Sequence, residues 1–155
     1  PDPRFPPHLA VRDLREALAL WGKLGAVYEA LLFLHSWVRW LVLLFGLWAL
    51  LRPGPRPGAF FAHTLTLQVL LGLGLAFVSP LFQGALASLG EAVRTPGEAR
   101  YFVAEHWVGG LVALGLAHAG LARARKGKPW ARLLFALALG VLALSIPWFR
   151  PLLRL

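Results

Sequence analysis

The stretch that decides the fold runs from Arg100 to Leu121 and reads RYFVAEHWVGGLVALGLAHAGL. It contains two histidines, His106 and His118, with only apolar or small residues between them. Twelve residues of α-helix rise about 18 Å, a little over half of the ~30 Å hydrocarbon core of a bilayer. One histidine is therefore expected near each face of a membrane-spanning helix. Ionisable side chains are costly at membrane depth, which favours a functional role for both.

The composition of the whole chain is that of an integral membrane protein. Its 155 residues are 58% hydrophobic, the mean hydropathy is +0.64, and the apolar residues come in runs long enough to cross a bilayer. Cysteine and methionine are both absent, which excludes disulfides, thiolate metal sites, iron–sulfur clusters, c-type haem attachment and methionine as an axial ligand. A transition metal or haem would have to be held by histidine or oxygen. The lack of thermolabile residue types fits a thermophile, and a GC-rich genome would give similar usage.

The pattern of apolar runs predicts an all-α protein, an integral membrane four-helix bundle with a short N-terminal interfacial helix. Residues 1–27 are an extension in which Pro1 to Pro7 is irregular and Leu9 to about Leu24 is an amphipathic helix lying along the membrane. Residues 28–155 form a single four-span bundle. The predicted spans are Tyr28–Leu51, Ala59–Val78, Arg100–Leu121 and Ala131–Trp148.

The distribution of charge predicts the orientation of these spans. The chain carries a net charge of +9, and seven Lys or Arg residues fall in the loops joining spans 1–2 and 3–4, where no acidic residue occurs. The positive-inside rule then places both loops in the cytoplasm and both termini outside the inner (plasma) membrane. Because the basic residues flank apolar spans, a lipid bilayer is the expected partner and nucleic acid is not.

Four histidines fall at two depths of the predicted bundle. His35 in span one and His106 in span three lie a similar distance from the outer side, while His63 in span two and His118 in span three lie near the cytoplasmic side. Two neutral imidazoles facing each other across a bundle core can hold a haem iron. The sequence thus predicts one or two non-covalent b-type haems, with these four histidines as iron ligands.

Other residues are candidates for the surroundings of such a site. Arg39 lies one helical turn from His35, and Arg100 lies at the outer mouth; both are candidate partners of haem propionates, or of a quinone carbonyl in the case of Arg39, and both can instead anchor to lipid headgroups. Glycines in spans two and three can make room for a porphyrin or serve close helix packing. Glu105, Thr64, Thr66 and Gln68 are further polar candidates.

The segments LHSWVRW, AHTLTLQ and EHWVGGLVALGLAH, taken with the four-span layout, resemble small bacterial b-type cytochromes of the cytochrome b561 group. The resemblance covers about residues 28–149. It implies bis-histidine haems on His35, His63, His106 and His118, and electron exchange with quinone or quinol. The spacing of twelve between His106 and His118 departs from the thirteen or fourteen usual in that group, which leaves the histidine pairing open.

Two other functions stay open at this stage. One is a non-redox accessory or assembly subunit of a respiratory complex, with the histidines serving helix packing; a homo-oligomer or a respiratory-complex partner fits either function. The other is a copper or zinc site formed by His35, His106 and Glu105. That site is less favoured, because zinc usually takes at least three protein ligands and each layer offers only two histidines.

Overall fold

A computed structural model describes residues 7–150, with side chains from residue 14 onward. Over this range the chain is helical with short connections and has no strand, which confirms the predicted all-α class. The elements are α1 (Pro7–Leu51), α2 (Pro55–Val78), α3 (Pro80–Ala87), α4 (Leu89–Arg94), α5 (Glu98–Arg100), a π-helical turn (Tyr101–His106), α6 (Trp107–Arg125) and α7 (Ala131–Ser145). The predicted irregular segment before Pro7 lies outside the described residues.

Three of the described helices are long and apolar enough to cross a membrane. These are Leu14–Leu51 of α1, Pro55–Val78, and the continuous segment Glu98–Arg125. The fourth predicted span corresponds to α7, a shorter apolar helix of 15 residues that is about 22 Å long. It ends at Ser145 and not at Trp148, because Pro147 disfavours helical geometry at Ile146, whose backbone is extended (φ −76°, ψ 131°).

The first helix differs from the sequence prediction. A short interfacial helix was expected before residue 28, separate from span one, yet α1 runs without a break for 45 residues, about 68 Å. No proline occurs between Pro7 and Pro53. Gly22 and Gly25 lower helix propensity by about 1 kcal/mol each but do not end a helix. The side chains of 14–26 are all exposed, so this part of α1 extends beyond the packed region.

Four helices share one core. Helix α1 packs against α2 and α7, and α6 packs against the same two helices. Phe61, Leu65 and Phe135 are the largest fully buried side chains, and the rings of Phe61 and Phe135 meet edge to face at 6.1 Å. Gly58 and Gly120 allow this packing, since a Cβ at either position would lie 2.7 Å from the Phe135 ring. At this end of the molecule the space between the helices is filled.

Candidate functional site

His35 and His106 meet at the other end of the same helix group. His35 lies in α1 and His106 ends the π-helical turn, and their ring centres are 6.2 Å apart at an interplanar angle of 71°. Metal–imidazole bonds are about 2.0–2.1 Å for zinc, and with a ring centre about 1 Å behind its nitrogen, two imidazoles on one such metal have centres roughly 6 Å apart. Two imidazoles that bind one metal ion would have a spacing close to this, and the same spacing falls in the range of an edge-to-face aromatic contact.

A hydrogen bond at one ring nitrogen, Nδ1, fixes the orientation of the His106 ring. Its Nδ1 is 2.7 Å from the carbonyl oxygen of Ser145, the last residue of α7. The Tyr101 hydroxyl donates to the same oxygen at 2.6 Å. Metal-binding histidines typically donate one N–H to a carbonyl or carboxylate and present the other nitrogen to the metal. His106 has this arrangement, with Nε2 left over.

His35 is held through its backbone and by contact with α2. The Gln68 side-chain amide donates to the His35 carbonyl oxygen at 2.9 Å. A Cβ at Gly72 would lie 3.2 Å from His35 Cε1, so the ring packs directly on the α2 backbone. Among the described residues, His35 Nδ1 and Gln68 Oε1 are buried without a hydrogen-bond partner. Buried polar atoms of this kind are rare in native proteins, and each calls for an explanation.

A cavity of about 180 Å³ adjoins the two histidines. Its walls are mainly apolar and come from α1, α2, α6 and α7, and the glycines at 72 and 110 contribute to it. At Gly110, which lines the cavity, an added Cβ would meet no atom within 4 Å. The polar side chains on the wall include Ser36, Arg39, Gln68 and Arg150.

The two arginines singled out in the sequence have different surroundings. Arg39 lines the cavity as expected. Arg100 does not; its guanidinium binds Glu105 through Nε at 3.0 Å and Nη2 at 2.8 Å, on the outer side of the π-helical turn. Glu105 is exposed and turned away from His106's cavity, so the structure does not assemble the His35–His106–Glu105 metal set.

Arg150 takes the place on the cavity wall that Arg100 was expected to have. It follows the end of α7, forms a bidentate pair with Glu98 at 2.9 and 2.8 Å, and lies over the Phe102 ring at 4.8 Å. The hydrogen bonds that Arg150 donates to the Glu98 carboxylate raise the pKa of Arg150, so the guanidinium stays charged. Arg150 is not among the residues that the sequence suggests, because it follows the last predicted span. The clue available was Pro147, which stops α7 and turns the following residues back.

His63 and His118 also lie side by side, with ring centres 5.9 Å apart and an interplanar angle of 69°. Both side chains are exposed on the outer surface of α2 and α6. The Thr66 hydroxyl donates to the Ala62 carbonyl at 2.9 Å, and its oxygen is 2.9 Å from His118 Nε2, which therefore donates to it. Behind this pair stands the filled core of Phe61, Leu65 and Phe135.

The sequence predicted that the histidines of each pair lie at the same depth, and the rings of each pair are in contact. The surroundings of the two pairs differ. The His35–His106 pair adjoins a cavity. His106 Nδ1 is hydrogen-bonded to a carbonyl oxygen, and His35 Nδ1 is buried without a hydrogen-bond partner. The His63–His118 pair is exposed, and one of its ring nitrogens is already engaged by Thr66. No group of three or more potential metal-binding side chains occurs among the described residues.

Comparison of the chain with protein-family models, curated proteins and solved structures gives no match.

Proposed function

We propose that this chain is a membrane b-type cytochrome whose haem is held by His35 and His106. The observation that carries the proposal is the placement of two imidazoles from different helices at metal-bridging distance beside an apolar cavity. The second nitrogen of His106 is bonded to Ser145, which leaves Nε2 available as a ligand. Haem iron with two histidine ligands supplies one-electron transfer when bound.

The residues around the cavity fit this prosthetic group. The ligand set is imidazole alone, in agreement with a chain that has no cysteine or methionine. Apolar walls suit a macrocycle, and the unpartnered Nδ1 of His35 and Oε1 of Gln68 fit a site that is completed by a ligand. Arg39 and Arg150 both line the cavity and would hold the propionates through charge-assisted hydrogen bonds.

The membrane setting belongs to the same proposal. Large apolar side chains are exposed along the helices, among them Leu44, Leu70, Phe77, Leu111 and Leu144. Such a continuous apolar exterior is unfavourable in water and suits lipid. We propose a four-helix bundle formed by α1, α2, α6 and α7, with α7 as the shortest span. The loops 52–54 and 126–130 then face the cytoplasm, following the positive-inside rule.

Quinone or quinol is the proposed redox partner. The resemblance to the cytochrome b561 group suggests it, and Arg39 and Gln68 give the cavity polar groups suited to a carbonyl or hydroxyl. A rival arrangement has a quinone head group on His35 and Arg39 in place of the haem. The two differ in absorption, because only haem gives a Soret band.

A second haem at His63 and His118 has weaker support. The ring spacing suits it, yet both rings are exposed and the core behind them is filled by Phe61 and Phe135. We therefore propose one haem per chain.

The second candidate function is that of a non-redox accessory subunit. The hydrogen bond between His118 and Thr66 favours it, since a histidine that serves helix packing would be bonded in this way.

The deciding experiment is a pyridine haemochrome assay on purified protein reconstituted with haem, together with oxidised and reduced absorption spectra. The expected result is a low-spin b-type spectrum with about one haem per chain. His106→Ala should abolish it, and His118→Ala, the matched change in the other pair, should retain it. A folded protein without a Soret band would overturn the proposal, and a ratio near two would restore the second haem.

A further inference from the structure

At the end of α7, the carbonyl groups of Ala143 and Ser145 form hydrogen bonds with side chains. Pro147 has no N–H and ends the helix, so the last carbonyls lack intrahelical partners. The Trp148 indole donates to the Ala143 carbonyl at 2.7 Å. The Ser145 carbonyl is left for side chains outside α7, namely Tyr101 at 2.6 Å and His106 at 2.7 Å.

The π-helical turn brings these two donors to one acceptor. Tyr101 and His106 are five residues apart, which in an α-helix would separate them by about 140° around the axis. The wider π-helical turn, with i→i+5 bonding, brings them to nearly the same side. Their ring centres are 5.9 Å apart, and both rings reach Ser145. The π-helical turn thus lets His106 share the Ser145 carbonyl with Tyr101.

Ser145 itself is held in place from two directions. Its hydroxyl donates to the Val141 carbonyl at 2.7 Å, and its residue is buried against α6. Gly109 permits this contact, because a Cβ at that position would overlap Ser145 Oγ and lie 2.9 Å from Ser145 Cβ. The position of the carbonyl is therefore set by packing and does not depend on a bound group.

We propose that the Ser145 carbonyl is a positioning group that fixes His106 as its Nδ1–H tautomer, with Tyr101 adjusting that bond by sharing the acceptor. A carbonyl oxygen can only accept, so the neutral ring must carry its proton on Nδ1. Nε2 is then the bare nitrogen that faces a ligand. The tautomer follows from the chain alone, and its use in iron binding rests on the proposed function.

Nitrogen-15 NMR of histidine-labelled, haem-free protein in detergent tests the tautomer directly. The signal of His106 is assigned by its loss in His106→Gln. The expected pattern is a protonated Nδ1 and an unprotonated Nε2 in the neutral ring. An Nε2–H tautomer, or an equal mixture of both, would overturn the inference. Failure of the chain to bind haem would leave this result unchanged, so the two proposals fail separately.

The role of Tyr101 is tested by Tyr101→Phe, with Trp148→Phe as the matched control at the neighbouring carbonyl. Without the tyrosine hydroxyl, the bond from His106 should strengthen and move the Nδ1 proton signal downfield in the haem-free protein. In the haem-loaded protein the midpoint potential should fall, because a more basic imidazole favours ferric iron. Trp148→Phe should change neither. An unchanged proton signal and potential in Tyr101→Phe, or equal effects of both substitutions, would exclude the role.

Discussion

At the scale of single residues, the two histidines of the candidate site are held by different means. His106 is tied to a carbonyl through its ring, while His35 is positioned by Gln68 through its main chain and by contact with Gly72. Substitutions on the α2 side should therefore disturb the site through steric contact with His35. Substitutions on the α7 side should disturb it through the hydrogen bond to His106.

Gly72 offers a prediction about space. Gly72→Val should displace the His35 ring, because even a single Cβ would lie 3.2 Å from Cε1 and two further methyl groups cannot be accommodated without movement. We expect weaker haem binding, measured by titration of the haem-free protein. Gly115→Val, on α6 where an added Cβ meets no atom within 4 Å, is the control. Equal haem affinity in the two variants would contradict the placement of His35.

The arginines offer a second prediction at the residue scale. Arg150→Gln should lower haem affinity several-fold, because it removes a guanidinium that lies on the cavity wall, where it is paired with Glu98. Arg100→Gln removes a charge that is paired with Glu105 outside the cavity, and should have little effect. The measurement is the haem dissociation constant at fixed ionic strength. A larger effect at Arg100 would return the propionate role to the residue that the sequence suggested.

At the scale of elements, the contact between α6 and α7 depends on glycine. Gly120 faces Phe135, and a Cβ there would lie 2.7 and 2.8 Å from two ring atoms. The same helix presents Gly115 to open space. Gly120 therefore serves close helix packing, one of the two roles that the sequence left open, whereas Gly115 contacts no neighbour.

This difference predicts opposite effects of the same substitution. Gly120→Ala should destabilise the protein by about 1–3 kcal/mol through overpacking against Phe135. Gly115→Ala should be neutral or stabilising by up to about 1 kcal/mol, because alanine is the better helix former. Thermal unfolding in detergent, followed by circular dichroism, measures both. Equal melting temperatures for the two variants would show that Gly120 is not in close contact with α7.

At the scale of the whole molecule, the filled core and the cavity occupy opposite ends of the same helix group. Phe61 and Phe135 close the end near the basic loops, and the His35–His106 cavity opens at the end formed by α3, α4, α5 and the π-helical turn. If the positive-inside rule holds, the candidate haem lies near the outer side of the membrane.

Orientation is tested by labelling single cysteines introduced into this cysteine-free chain. Lys126→Cys should be protected from a membrane-impermeant maleimide in intact cells, and Glu91→Cys should react. The reason is the concentration of Lys and Arg, without acidic residues, in the loop that contains Lys126. Reaction of Lys126→Cys without reaction of Glu91→Cys would indicate the opposite topology, with the candidate site at the cytoplasmic side.

The amino-acid sequence predicts the helical class, the apolar runs, the prolines that end helices, and the matching depths of His35 with His106 and of His63 with His118. These follow from local rules, since rise per residue fixes depth along a helix and proline ends a helix wherever it occurs. It did not give the uninterrupted α1, the π-helical turn, the role of the Ser145 carbonyl, or the exchange of Arg100 for Arg150 on the cavity wall. The role of the Ser145 carbonyl and the position of Arg150 on the cavity wall are seen only in the folded chain, because they depend on how each helix is rotated against its neighbours. That rotation is set by packing, as where Phe135 fills the space between Gly58 and Gly120, and periodicity within a single helix does not contain it.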